Sequence, residues 1–353
     1  MPLSQKFYIN NREILGKKLG PESVSIIYSG RAVKQSLDAD YPFYTDNNFY
    51  YLTGIEEPNV TLVAVKDANA EVKWILFIDE GDALKEKWVG AKISMDEASL
   101  ISGITDVRYY SELEACLLSV RGYNALYFDF TTPKHQSFST SAPELKMMIA
   151  EMEIKNLQPF LTEMRLIKTD EEVSVLREAI EITHQGINAI LENIKPGMKE
   201  YEMQALFEYT IKRLGAQGVS FETIAASGKN ATILHYIKNR ETLMDNELVL
   251  FDLGARLKGY CGDISRTIPI SGKYTDEQRK IYNIVLTSQK ELIKMYKPSA
   301  KMKDIQQMTK ELFLDKCSDH GIAPENNDIS MFYYHGVGHS LGLDTHDTND
   351  KRD

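Results

Sequence analysis

The chain has 353 residues, more than one ordinary hydrophobic core organises, so two domains are expected. Hydrophobic residues at 43% and charged residues at 26% are globular proportions, and a net charge of −10 argues against a nucleic-acid-binding surface. No apolar run reaches the ~18–20 residues of a membrane span, so no membrane attachment is expected.

The N-terminal MPLSQKFYINNREILGKK has no apolar core of signal-peptide length. Three cysteines, Cys116, Cys261 and Cys317, are widely spaced and odd in number, which suits a reducing compartment better than a disulfide framework. A cytoplasmic protein is the expectation. Over residues 1–163, strand-like runs (SVSIIYSG, VTLVAVKD, VKWILFID, ALYFDF) alternate with helical patterns such as DEASLISGI and SELEACLLSV, which predicts an α/β domain. A second domain, 164–353, follows. Thr169-Asp-Glu-Glu172 reads as a capping box, and Val173, Leu176, Ile180, Ile187, Leu191 and Ile194 form a stripe at helical spacing that predicts core packing up to Pro196-Gly197.

LVLFDLGARLKGYCGDISRTIPI then reads as a β-hairpin. Leu248, Leu250 and Asp252 share one face of its first strand, and Val249, Phe251 and Leu253 the other. With Leu257-Lys258 at the tip, Asp252 stands directly opposite Asp263, and their Cβ atoms are about 4.5–5.5 Å apart. Two like charges on a half-buried sheet are unfavourable and call for a cation between them: a shared proton, a basic side chain such as Arg266, or a metal. In the alternative, one aspartate points into a solvated turn.

HGVGHSLGLDTHD supplies further donors. It holds His335, His339 and His346, three of the chain's seven histidines, among glycines that allow close backbone approach. Two aspartates on a hairpin and His339 on a later strand make a mixed nitrogen and oxygen donor set, which favours a hydrolytic metal over a structural or redox one.

FDLGARLKGYCGDISRT and HGVGHSLGLDTHD, with ASGKNATILHY upstream, resemble the pita-bread metallopeptidases, and among them the Xaa-Pro aminopeptidases (aminopeptidase P). DYPFYTDNNFYYLTG (Asp40 to Gly54) is similar to the N-terminal domain of that group, and MRLIKTDEEVSVLREA, from Met164, to the start of its catalytic domain. The resemblance implies an α/β (α+β) protein, with an N-terminal creatinase/prolidase-like α/β domain ahead of a pita-bread catalytic domain. It implies two divalent ions, most often manganese with cobalt or zinc as alternatives, and Asp252, Asp263 as the bridging ligand and His339 as metal ligands. His235 and His346 match catalytic histidines, and His335 matches a substrate-binding one at the proline pocket. The implied reaction releases the N-terminal residue from peptides with proline second, and the implied protein is a homo-oligomer. Creatinase shares the fold without metal, and Asp252, Asp263 and His339 speak against it. A prolidase, cutting Xaa-Pro dipeptides, shares nearly every motif.

In one respect the chain departs from that pattern. The family completes its metal site with two glutamates beyond the histidine motif, whereas no glutamate follows Glu325 here. The expectation is therefore a catalytic domain truncated at its C-terminus, with weak metal binding and little turnover, or a non-catalytic binding module if the short form is natural.

Overall fold

The computed structural model describes residues 3–131, 142–322, 324, 326 and 328–348, and the chain divides into two units, Met1–Glu171 and Glu172–Asp353. In the first unit β1 (Ser23–Tyr28), β2 (Thr61–Lys66), β3 (Val72–Ile78), β4 (Asp106–Tyr109), β5 (Ala125–Phe128) and β6 (Glu153–Asn156) form one sheet in the order β4-β3-β2-β1-β5-β6. The pairs β1·β2 and β2·β3 are antiparallel and the other three are parallel, so the sheet is mixed. The four runs read as strands from their apolar content are β1, β2, β3 and β5. DVRY and EIKN, which make β4 and β6, carry too few apolar residues to stand out.

Among the described residues, seven α-helices accompany the sheet: α1 (Gln5–Lys18), α2 (Asn47–Thr53), α3 (Ala83–Val89), α4 (Met95–Ser102), α5 (Leu113–Leu118), α6 (Pro143–Glu151) and α7 (Gln158–Leu166). Strand β1 is buried along its whole length, as a central strand covered on both faces must be. On one face Val24, Ile26, Val63, Ile75 and Phe77 pack with Leu113 and Leu117 of α5 and Leu145 and Met148 of α6. On the other, Gly16 of α1 lies against Val72 and Trp74, and the buried Lys66 ammonium donates to the Gly16 and Leu19 carbonyls at 2.9 and 2.7 Å. Those carbonyls end α1 without helical partners, so the lysine satisfies them and its charge suits the helix C-terminus.

The second unit contains most of α8 (Asp170–Asn193), then α9 (Glu200–Arg213), β7 (Gly218–Val219), β8 (Ile224–Ser227), β9 (Leu248–Leu253), β10 (Ala255–Leu257), β11 (Tyr260–Cys261), β12 (Ile264–Pro269), α10 (Asp276–Ile293) and α11 (Met302–Asp319). Its core joins Ala179, Ile182, Ile187 and Ile190 of α8 to Met203, Phe207 and Ile211 of α9 and to Val249, Phe251 and Leu253 of β9. The buried face of α8 keeps only part of the expected stripe, with Ile187 buried and Ile194 packed against the core. Val175, Ala179, Ile182, Thr183, Gly186, Ile187 and Ile190 point inward, while Ile180 and Leu191 are exposed. Close approach explains the rotation: a Cβ on Gly186 would come within 2.5 Å of the Phe207 ring, and Gly262 of the hairpin sits directly on Ala179 and Thr183. Only small side chains fit there, so the larger aliphatics turn away.

The expected hairpin is present, with its tip one residue later than expected. Lys258 and Gly259, both at positive φ (48° and 80°), form the turn, as two-residue hairpin connections require. Arg256 therefore pairs with Cys261, Leu253 with Ile264, and Asp252 with Ser265, not with Asp263. The pairing has moved by two residues, so alternation still puts Asp263 on the face of Asp252, now as a diagonal neighbour. Midway the two chains nearly touch: a Cβ on Gly254 would lie 2.0 Å from the Gly262 carbonyl oxygen. The strands break there into two three-stranded sheets, β12-β9-β8 and β11-β10-β7. The Ala255 amide, turned out of the ladder, donates to Thr183 Oγ1 of α8 at 2.9 Å.

A second anchor holds the loop between β8 and β9. Glu200, at the start of α9, is fully buried. Its Oε1 accepts from the Ser227 amide (2.8 Å) and hydroxyl (2.7 Å), and its Oε2 from the Tyr236 hydroxyl (2.8 Å) and the Glu241 amide (2.9 Å). Burial pushes this carboxyl up, but the four donors, the Ser227 and Glu241 amides foremost, outweigh it and hold the group below the usual carboxylate range. The buried Asn239, at φ 45°, accepts from the Ala225 amide and donates to the Thr223 carbonyl and Gln204.

Two stability measurements follow from this packing. Gly254→Ala must separate two backbones and is expected to cost about 2–3 kcal/mol, the upper part of the overpacking range, read as a lowered urea midpoint. Glu200, with its folded pKa depressed, stabilises the fold above the ordinary glutamate value of about 4.3, and that stabilisation is lost as pH falls through the folded pKa. Glu200→Gln should therefore show a flatter fall in urea midpoint between about pH 5 and pH 3 than the unsubstituted chain; parallel curves would assign the acid sensitivity elsewhere.

Candidate active site

His235 lies in the loop after β8, between a 3-10 turn (Gly228–Thr232) and Asn239, with its side chain exposed. Asp252 sits near the end of β9, and Asp263 immediately precedes β12. The stretch carrying His335, His339 and His346 is not the expected strand: its backbone is irregular from Phe332 to Thr348. Gly342 and Leu343 dock on β11, where the Cys261 amide donates to the Gly342 carbonyl at 2.8 Å and its thiol to the Leu343 carbonyl at 3.6 Å. The Asp347 amide closes the loop on the Ser340 carbonyl at 3.0 Å. Cys261 is thus buried and structural, and desolvation pushes its thiol up.

This docking brings His339 to the hairpin, with its Nε2 3.2 Å from Asp263 Oδ2. Burial raises the Asp263 pKa to about 6, the Asp252 charge adds to the rise, and His339 opposes it. Asp252 itself accepts from the Ser265 hydroxyl at 2.8 Å, the cross-strand partner that the hairpin register provides. The His346 ring lies 4.1 Å from that of His339, tilted by 42°. Desolvation lowers the His346 pKa, His339 and His235 lower it further, and Asp252 acts in the opposite direction. Five of the six residues singled out in the sequence, His235, Asp252, Asp263, His339 and His346, therefore form one electrostatic group.

The sixth stands apart. His335 packs edge-on against Tyr333, ring centroids 4.8 Å apart, in an apolar groove of about 380 Å³ lined by Ile284, Phe313, Ile329 and Phe332. Arg266, considered as the cation between the aspartates, is exposed and donates to the Ser265 carbonyl. It is His339 that meets Asp263.

Among the described residues, no three His, Cys, Asp or Glu side chains close around one point as a finished metal cage. The donor chemistry nonetheless fits a divalent ion. Two carboxylates and an imidazole are suitable ligands, and Asp263, its pKa raised first by burial and then by the Asp252 charge, is a carboxylate that a nearby cation would stabilise. Sequence reasoning missed the residues that hold this group in place. Thr183 belongs to a small-residue face of α8 that was legible as Ala179, Thr183 and Gly186 at helical spacing. A lone glutamate such as Glu200 in EYE gives no sign of being a buried acceptor of four hydrogen bonds.

Comparison with known proteins identifies the family. Residues 174–352 match the model of metallopeptidase family M24, and residues 8–127 that of the aminopeptidase P N-terminal domain. The chain is 33% identical to the Xaa-Pro aminopeptidase of Haemophilus influenzae, covering 94% of this chain and 77% of that protein. It is 31% identical to the Xaa-Pro aminopeptidase of Escherichia coli, covering 98% and 82%. The low-pH form of E. coli aminopeptidase P superposes with a TM-score of 0.92 at 30% identity, covering all of this chain and 83% of that one. With both units matched in order along nearly its whole length, the chain belongs to the Xaa-Pro aminopeptidases of metallopeptidase family M24.

Proposed function

We propose that the site removes the N-terminal residue from peptides that carry proline in the second position. The observation that carries this reading is the contact of His339 with Asp263, on the sheet face shared with Asp252 and beside the His346 ring. Asp252, Asp263 and His339 would hold the divalent metal, with manganese the first candidate and cobalt or zinc the alternatives. When bound, such ions supply Lewis acidity, lowering the pKa of water and drawing electron density from a carbonyl.

The chain's own groups do the rest. His346, its pKa lowered by desolvation, stays neutral near pH 7, and an imidazole N–H there donates to an oxygen that gains charge as the peptide bond is attacked. His235, on the same electrostatic group, is a second donor. The proline nitrogen carries no hydrogen, so extended-strand recognition fails at that bond and an apolar surface must take its place. The groove of His335 and Tyr333 has that character. Self-association belongs to the same reading. Three free, buried cysteines support a reducing compartment such as the cytoplasm.

With three donors in the described site, we expect weak metal binding and slow turnover. In the presence of Mn²⁺, an Xaa-Pro-Yaa tripeptide should be cleaved slowly and chelator-sensitively, while an Xaa-Pro dipeptide is spared. Cleavage of the dipeptide alone would make the protein a prolidase, and cleavage of neither would leave a non-catalytic binding module. Elemental analysis after dialysis should find fewer than two ions per chain, and Asp263→Ala should weaken Mn²⁺ binding by at least about 100-fold, since even outer partners of metal ligands are worth 10–100-fold. Two tightly retained ions would refute the three-donor account.

A further inference from the structure

We infer that Glu200 is the positioning residue for His235. The inference rests on the reading above, in which His235 serves the reacting centre. Within the described protein no side chain holds the exposed His235 ring, so its place is set by the backbone that carries it. That backbone, from Ser227 to Glu241, has one common anchor. A single buried carboxylate takes the Ser227 amide and hydroxyl at the start of the segment, the Glu241 amide at its end, and the hydroxyl of Tyr236, the residue next to His235.

The geometry distinguishes a clamp from an ordinary helix cap. Glu200 begins α9, yet none of these four donors belongs to that helix; all lie 27 to 41 residues further along the chain. Both oxygens are filled from the loop, two donors each, a pattern only a carboxylate can accept, because an amide at the same position presents a donor to one pair. Asn239 restrains the same segment by three further hydrogen bonds to Ala225, Thr223 and Gln204, and the Tyr334 hydroxyl donates to the Thr232 carbonyl at 2.8 Å. These bonds hold Thr232 and Asn239, inside the segment. Glu200 alone reaches both of its ends and the neighbour of His235.

The test uses the full chain without metal, so it is independent of turnover, with the ring signals of its seven histidines observed by NMR after selective labelling. The His235 signal is assigned by its disappearance in His235→Gln. In Glu200→Gln, whose new NH2 group faces either the Ser227 pair or the Tyr236 and Glu241 pair, the His235 signal should shift and broaden. Hydrogen exchange at the amides of 228–240 should rise by about tenfold or more, while His184 on α8 and the amides of α10 stay as they were. Tyr236→Phe removes one donor of the four and should move the same signals part of the way in the same direction; it decides the matter if Glu200→Gln does not fold. An unmoved His235 signal with unchanged loop exchange, in whichever of these variants is folded, overturns the inference. Failure of the proposed role of His235 shows elsewhere, in the peptide assay with His235→Ala, and leaves the clamp measurement standing.

Discussion

Two carboxylates on one face of a hairpin set the terms for the rest of the second unit. Asp252 and Asp263 are driven together by strand register, and burial takes from them the water that would screen their repulsion. A chain left to itself would relieve this by twisting the strands apart or turning one aspartate to solvent. Neither happens, because the hairpin is pinned at its middle. Gly254 and Gly262 bring the two backbones into contact, Gly262 rests on Ala179 and Thr183, and Thr183 takes the amide that the break in the ladder leaves over. The small-residue face of α8 and the two glycines are one device: each contact is short only because the other side has given up its side chain.

The conflict is answered from a distant part of the sequence. His339 reaches Asp263 because Gly342 and Leu343 lie along β11 and bond to Cys261, two residues before the aspartate. Cys261 thus links the carboxylate half of the site to the imidazole half without taking part in its chemistry. Its burial and raised pKa suit a residue that holds and does not react.

Much of this was legible in the sequence, for identifiable reasons. Strands of the first unit with dense apolar content declare themselves, while DVRY and EIKN become strands only because β3 and β5 offer them open edges. The face assignment of Asp252 survives because a strand period of two is robust: moving the hairpin tip by one residue shifts the pairing by two and returns Asp263 to the same face. The direct opposition of the two aspartates does not survive, since it depended on the turn, and the positive φ of Lys258 was not visible in KG alone. The helix stripe of α8 held only at Ile187 and Ile194, for the opposite reason. Hydrophobicity favoured Ile180 and Leu191, but packing distance selected Ala179 and Gly186, and no hydropathy scale rewards the absence of a side chain. Resemblance identified the histidines and gave His335 a role apart from His235, His339 and His346, and in the structure it lies in an apolar groove, while the rings of His339 and His346 lie together.

The two halves of the site differ in how firmly they are held, and that difference bears on chemistry. On the carboxylate side, Asp252 and Asp263 stand on paired strands backed by α8, so their approach is fixed before any ligand arrives. On the imidazole side, His339 and His346 stand on irregular backbone tied down at Cys261 and by a few short-range bonds such as Asp347 to Ser340. A cation at Asp263 would turn a strained contact into a favourable one and so draw His339 in, ordering the looser half against the rigid one. Preorganisation is then unequal. The hairpin stores the electrostatic cost during folding, when hydrophobic burial can offset it, and the histidine stretch adjusts later at little cost in packing. His235 falls between these extremes, on a loop that has no sheet to stiffen it but is drawn tight around one buried charge.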